Sequence, residues 1–285
     1  MYPTKRMCSQ TTLVVFMLVV ILTINIFSYF TIFKIDRKFQ ITEQIDINNP
    51  KALDDLRAKY ALNSEKYSQD LYRASKGDDH SAFYEKVKLE AFCPLKERLG
   101  EIDDGGKYVC NPRMVRKDDC TIISLGLNNQ IYFDQHIQNV TGGHCRILGA
   151  DKDPQNMATQ ATYGGMNGKL FSGMIPKDIS ISSIMQTAGR KEVEILKMDI
   201  EGGEMEALEP FLKEYKVCQI LIEIHKSPAE HFKMLQIMAK YNFRIYNVET
   251  TPYCVMCCEY SLIHEGCMEQ FAVVPLAPIV SKKEL

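Results

Sequence analysis

The sequence predicts an α/β protein built on a mostly parallel sheet, and three observations carry that expectation. From Cys120 onward, short apolar runs alternate with amphipathic stretches of helical length. Several of the runs stop abruptly at a polar or glycine turn, as buried parallel strands do where they feed a helix. The plainest case runs from Val193 through Ile195, Leu196, Met198 and Ile200, and closes on Asp199, Glu201, Gly202 and Gly203. A helical pattern through Met205, Ala207, Leu208, Phe211 and Leu212 follows it.

Taken in order, Thr121–Leu125 reads as the first strand and turns at Gly126-Leu127-Asn128-Asn129 into a helix over Phe133–Val140. Cys145–Ala150 is the second strand and ends at Asp151, and Lys169–Phe171 is a short third. A helix follows Ile179–Met185. The Val193 run is the fourth strand and Val217–His225 the fifth. A helix over Ala229–Tyr241 turns Phe232, Leu235, Ile237 and Met238 inward. Phe243–Val248 is the sixth strand and Gln270–Leu276 the seventh. Right-handed crossovers make this a doubly wound, Rossmann-like sheet of seven strands with helices on both faces, its first five strands ordered 3-2-1-4-5.

The N-terminal part is different in kind. Residues 13–33 form twenty-one residues without a charge, long enough to cross a bilayer core of about 30 Å. The run is longer than a typical signal-peptide core and no small-x-small site follows it, which favours an uncleaved anchor behind a tail of residues 1–12. Residues 34–82 form a stem. Asn49-Pro50 opens a helix on which Leu53, Leu56, Tyr60, Tyr67 and Leu71 share a face. That stripe suits either a second chain, giving a homo-oligomer, or the body itself. A short helix with Phe83, Val87 and Phe92 inward begins the body, residues 83–285.

Nine of the ten cysteines follow the anchor, a density that suits an oxidising lumen. Asn139-Val140-Thr141 is a glycosylation sequon, usable on that side only. The expectation is a type II membrane protein with its body in the ER or Golgi lumen. Cys93 and Cys110 flank Asp103-Asp104-Gly105-Gly106-Lys107 and could close a small disulfide loop there, although sequence does not give connectivity. Cys254, Cys257, Cys258 and Cys267 read as disulfide partners or as a zinc set, disulfides being favoured in a lumen. Near-balanced charge, −2 overall, and the lack of a long basic patch argue against nucleic acid as a partner.

Chemistry is expected at the carboxyl ends of the strands. Gly126 allows close backbone approach, and Asn128 can take a left-handed turn. Asp151, ending the second strand, stands where an acid holds the ribose hydroxyls of a nucleoside. A dinucleotide pyrophosphate needs closely spaced glycines that this loop lacks, which tilts the cofactor toward S-adenosylmethionine. Asp199 and Glu201, with Glu223 and His225, would meet at the ends of two neighbouring strands. One of them would serve as a base, with Asp199 the preferred candidate and Glu201 fixing the turn and capping its helix. A divalent metal in this cluster is not favoured.

The stretch LKMDIEGGEMEAL, with the Gly126 loop and Asp151, resembles the FkbM-type methyltransferase family. The segments DDGGKYVC, CTIISLGLNNQIYFD and CCEYSLIHEGC are similar to its membrane-anchored animal branch, over about residues 83–276. The resemblance implies a class I methyltransferase fold and an S-adenosylmethionine-dependent transferase, O-methylating a sugar or other hydroxylated small-molecule or glycan acceptor. It assigns Ser124, Gly126 and Asn128 to the cofactor loop, Asp151 to the ribose, and Asp199 and Glu201 to the acidic pair beside transfer. Ser124 stands where the wider class has an acid, and Asn129 or Gln130 where a later glycine is common. The alternatives are a non-catalytic luminal scaffold that keeps the fold and, more weakly, a nucleotide-dependent oxidoreductase.

Overall fold

The computed structural model describes residues 50–102, 105–251 and 253–282, which enter through a long helix, α1 (Pro50–Ala74). The expected tail, membrane span and first part of the stem lie outside these residues. Among the described residues no helix is long and apolar enough to cross a membrane. The apolar stripe of α1 is buried: Leu56, Tyr60 and Leu71 belong to the same core as the sheet. Tyr72 packs its ring 5.9 Å from that of Phe232. Burying one such leucine stabilises by about 1.5–3 kcal/mol, so α1 is held by the body it lies on.

A five-residue helix, α2 (His80–Tyr84), is capped by Asp79, whose side chain accepts from the Ala82 N–H. Phe83 and Val87 are buried as expected, but Phe92 falls in a two-residue strand, β1 (Ala91–Phe92). A hairpin of β2 (Lys96–Leu99) and β3 (Lys107–Cys110) follows.

The main sheet contains β4 (Thr121–Leu125), β5 (Arg146–Asp151), β6 (Gly168–Ser172), β7 (Glu192–Met198), β8 (Lys216–His225), β9 (Phe243–Thr250) and β10 (Cys257–His264). Their order is β6-β5-β4-β7-β8-β10-β9. The first five are parallel and follow the expected 3-2-1-4-5 order. The crossovers carry α3 (Tyr132–Val140), α4 (Met157–Gly165), α5 (Ile181–Gln186), α6 (Glu204–Glu214) and α7 (Pro228–Lys240). This is the expected doubly wound, Rossmann-like sheet. Alternate residues serve its two cores: Ile122, Ile147, Ile195 and Leu221 face one, and Ile123, Leu148, Leu196 and Ile222 the other.

The seventh strand is a correction. It is β10, inserted antiparallel between β8 and β9. The expected run 270–276 holds only β11 (Val274–Pro275), which pairs with β1. Cys258, Tyr260 and Leu262 bury one face of β10 in the main core, which a reading of this stretch as a cysteine cluster hid.

Disulfides join Cys93 to Cys110, Cys120 to Cys145, Cys218 to Cys267 and Cys254 to Cys257, and Cys258 is free and buried. The four cysteines weighed as a zinc set therefore do not converge, since Cys267 pairs with Cys218 and Cys258 points into the core.

Candidate active site

The carboxyl ends of β4, β5, β7 and β8 meet at one edge of the sheet. The turn after β4 is made by Gly126, Asn128 and Asn129, all at positive φ. A side chain at position 126 would stand 1.6 Å from the Asp199 carbonyl oxygen, so the loop closes on β7 only with glycine. The Asp199 N–H donates to Leu125 O at 3.1 Å, and the Lys197 ammonium donates to Gly126 O at 3.0 Å.

Asp151 ends β5 beneath this loop. Its Oδ2 accepts from the Asn128 N–H at 2.7 Å and its Oδ1 from the Asp153 N–H at 3.1 Å. A carboxylate offers about four lone-pair directions, so capacity for two hydroxyl donors remains. The remaining acceptor capacity thus fits the ribose hydroxyls of S-adenosylmethionine, with Gly126 and Asn128 shaping the backbone beside it.

Ser124 differs from expectation. It is fully buried on β4 beside Asp134 of α3, closed off from the loop's outer surface. Asp134 is itself buried and accepts from the Tyr163 hydroxyl at 2.6 Å. Burial pushes its carboxyl up, opposed by the nearby Lys197 and that hydroxyl. A carboxylate from the following helix thus stands beside Ser124, inside the core.

Glu201 also departs from expectation. β7 ends at Met198, so Glu201 does not continue the strand face of Asp199. It is exposed, at φ 53, and the helix α6 is capped by Gly203 instead. Glu204 fixes the turn, its Oε1 accepting from the Gly202 N–H at 2.9 Å. Glu204 is almost wholly buried and approaches His225 Nδ1 at 3.6 Å.

Asp199, Glu223 and His225 do converge. His225 Nε2 lies 3.9 Å from Asp199 Oδ1 and 3.6 Å from Glu223 Oε1. Two residues unassigned from sequence complete the cluster. Lys107, on β3, is 2% exposed and reaches over the sheet to within 3.6 Å of Asp199 Oδ2 and 3.5 Å of Glu223 Oε2. It also pairs closely with Glu259 of β10, which sits directly opposite Glu223 in the ladder. Lys107 lies in the DDGGKYVC segment and Glu259 in CCEYSLIHEGC, so both motifs held the signal without revealing where their charges point.

The electrostatics follow from one cation among three anions. Burial pulls the Lys107 ammonium down, but Glu259, Asp199 and Glu223 more than reverse this and hold it charged. Burial pushes Asp199 up, and Lys107 with Lys197 outweighs it, leaving the carboxyl below its usual range. Glu223 takes up the resulting strain by holding its proton: burial, then Glu259 and Asp199, push it up to about 9. His225 is raised, chiefly by Glu204 and against the pull of burial. Oxygens of Asp199, Glu223 and Glu259 lie within 4.8 Å of one another, a spacing a divalent cation could use. The Lys107 ammonium lies against all three and offsets part of that charge.

A groove of about 870 Å³ between α1 and residues 278–282 contains none of these residues. The chemistry gathers at the strand ends instead.

A family model described as a methyltransferase FkbM domain matches residues 74–245. That range takes in the Gly126 loop, Lys107, Asp151, Asp199, Glu223 and His225, and stops short of β10. No curated protein sequence matches the chain. Among solved structures, the chain is similar to the fibrillarin pre-rRNA processing protein of Methanococcus jannaschii, at 16% identity and a TM-score of 0.39, over 60% of this chain and 83% of that one. It is also similar to precorrin-6y C5,15-methyltransferase of Geobacter metallireducens, at 11% identity and 0.36, over 54% and 86%. Human methyltransferase-like protein 13 in complex with SAH gives 15% and 0.34, over 54% and 75%. Likenesses this distant carry no argument about what the chain acts on.

Proposed function

The chain belongs to the FkbM methyltransferase domain family, and from that premise we propose that it moves a methyl group from S-adenosylmethionine to an oxygen of a small hydroxylated acceptor, such as a sugar or glycan. What supports this reading most is that the Gly126–Asp151 loop and the His225 cluster lie at one edge of the sheet, held together by the bond from Asp199 N–H to Leu125 O. When bound, the cofactor supplies an electrophilic methyl on a sulfonium. Asp151 would hold the ribose, and Gly126 and Asn128 would shape the backbone around the rest.

The chain's own groups then handle the acceptor proton. An oxygen acceptor must lose a proton as it is methylated, and a base works best with a pKa near the working pH. Asp199, the residue first preferred, is a poor base because Lys107 holds it ionised and low. His225 suits the role better: its Nδ1 is turned to the buried Glu204, which makes the ring more basic, and its Nε2 faces the cluster. Glu223, neutral at pH 7, serves as a hydrogen-bond donor to the acceptor. Asp199, held ionised 3.9 Å from Nε2, would stabilise the imidazolium that forms as the proton arrives. Positioning supplies most of the rate in such a transfer.

Membership of the membrane-anchored branch, and with it a luminal body, is part of the same proposal and rests on the 13–33 segment and the cysteine usage. The transfer reading is tested by incubating the full chain with methyl-labelled S-adenosylmethionine and a panel of free sugars and glycans. Label should enter an acceptor with the parent chain and fail to do so with His225→Gln. Equal labelling by both would remove His225 from the chemistry.

A further inference from the structure

Cys254 and Cys257 form a C-x-x-C pair in the turn entering β10, joined here as a disulfide. Their surroundings are unusual for a structural bridge. Cys257 is the direct ladder partner of His225 across the antiparallel β8–β10 pair, so the backbone itself fixes the two side by side. Glu223 lies two residues before His225 on the same strand face. Ligating atoms of Glu223, His225 and Cys257 lie within 4.8 Å of one another. Cys254 Sγ, bonded to Cys257 Sγ, stands at the same spot, and Cys254 is half-buried in a turn whose neighbours Tyr253, Val255 and Met256 are exposed.

We propose that reduction of the Cys254–Cys257 disulfide converts this corner into a site for a zinc-class divalent cation, ligated by Cys254, Cys257, His225 and Glu223. Two thiolates, an imidazole and a carboxylate are a donor set suited to tetrahedral zinc. Donors on one zinc stand about 3.5 Å apart, so the cluster closes by about 1 Å, within reach of side-chain rotation. The imidazole is already oriented for it. Nδ1 is buried without a hydrogen-bond partner and faces the Glu204 carboxylate at 3.6 Å, while Nε2 faces Glu223. A carboxylate behind a ligating histidine is the usual support of such a ligand.

The chemistry balances in two steps. A dithiol reductant gives up two electrons and two protons, becoming a disulfide, as the Cys254–Cys257 bond breaks to two thiols. The cation then replaces the two thiol protons, which leave to solvent. Glu223 and His225 belong to both sites, so the loaded chain would lose the transfer chemistry. That consequence rests on the methyl-transfer reading, whereas the binding itself does not.

The test uses the full-length chain and Co²⁺, whose thiolate complexes absorb in the near ultraviolet and whose tetrahedral sites show intense visible bands. Dithiol-reduced protein, freed of reductant under anaerobic conditions, should take up one Co²⁺ per chain with both features, and Zn²⁺ should bleach them. Untreated protein should show neither. Cys254→Ser combined with Cys257→Ser should abolish the ultraviolet feature, and His225→Gln should weaken binding by at least about tenfold. Cys258→Ser, altering a thiol on the opposite face, should leave both intact. The proposal is overturned if the reduced chain takes up no Co²⁺, if the double cysteine variant keeps the thiolate feature, or if His225→Gln binds as the parent does.

Discussion

Lys107 Nζ stands 3.6 Å from Asp199 Oδ2, joining a hairpin outside the main sheet to the end of its fourth strand in sequence. Asp199, Glu223 and Glu259 would otherwise be three largely buried carboxylates without the one cation that faces them all. Removing one partner of a buried ionic group leaves uncompensated charge and costs about 3–5 kcal/mol. Lys107→Met should therefore lower stability by about that amount in urea denaturation. The same change combined with Glu223→Gln and Glu259→Gln should recover much of the loss, because the repelling charges go with it. If Lys107→Met were neutral, the lysine would not be the counter-ion of this site.

Glu223 gives a pH test whose direction is fixed. Its carboxyl titrates near 4.5 when free and at about 9 in the fold. Between those values the folded chain holds a proton that the unfolded chain has released. Its contribution is full below 4.5 and is lost as pH rises through about 9. Glu223→Gln, locked in the neutral form, should lose less stability than the parent across that window. Parallel stability curves for the two proteins would show that Glu223 is ionised in the fold.

His225 depends on Glu204. With the carboxylate replaced by an amide in Glu204→Gln, the chief cause of the raised imidazole pKa is gone and burial pulls it down. An NMR titration of the His225 ring should show a lower midpoint in the variant than in the parent. An unmoved midpoint would assign the shift to Asp199 instead.

The helix α1 is part of the folded body. Leu71 is 1% exposed and sits in the main core with Leu56 and Tyr60. Leu71→Ala should cost about 2–5 kcal/mol, read as a lower denaturation midpoint of the whole body. A change confined to α1, with the body's midpoint untouched, would show the helix to be an independent stem.

These residues also mark how far the sequence alone could reach. Asp199, Glu223 and His225 were legible because adjacent parallel strands must bring their carboxyl ends together, and Asp151 because it closes the neighbouring strand. Lys107 and Glu259 were not, since their place depends on non-local pairing: a hairpin folded over the sheet face and an antiparallel strand inserted between two others. Glu204 was hidden by its neighbour. In Glu201-Gly202-Gly203-Glu204 local spacing favours the first glutamate as the strand's continuation, but the left-handed turn at Glu201 throws it outward and buries the second. Ser124 was misplaced for a similar reason: a motif gives a position in the chain, whereas the alternation of β4 decides that the side chain faces α3.

The most direct measurement is a calorimetric titration of the full chain with S-adenosylmethionine, S-adenosylhomocysteine and NADH. Binding heat is expected with the first two and none with the third. Asp151→Asn should weaken both by about ten- to a hundredfold, the loss of hydrogen bonds to a charged acceptor at about 1.5–3 kcal/mol. No heat with either sulfur ligand from a folded chain, or heat with NADH alone, would contradict the assignment of this site to methyl transfer.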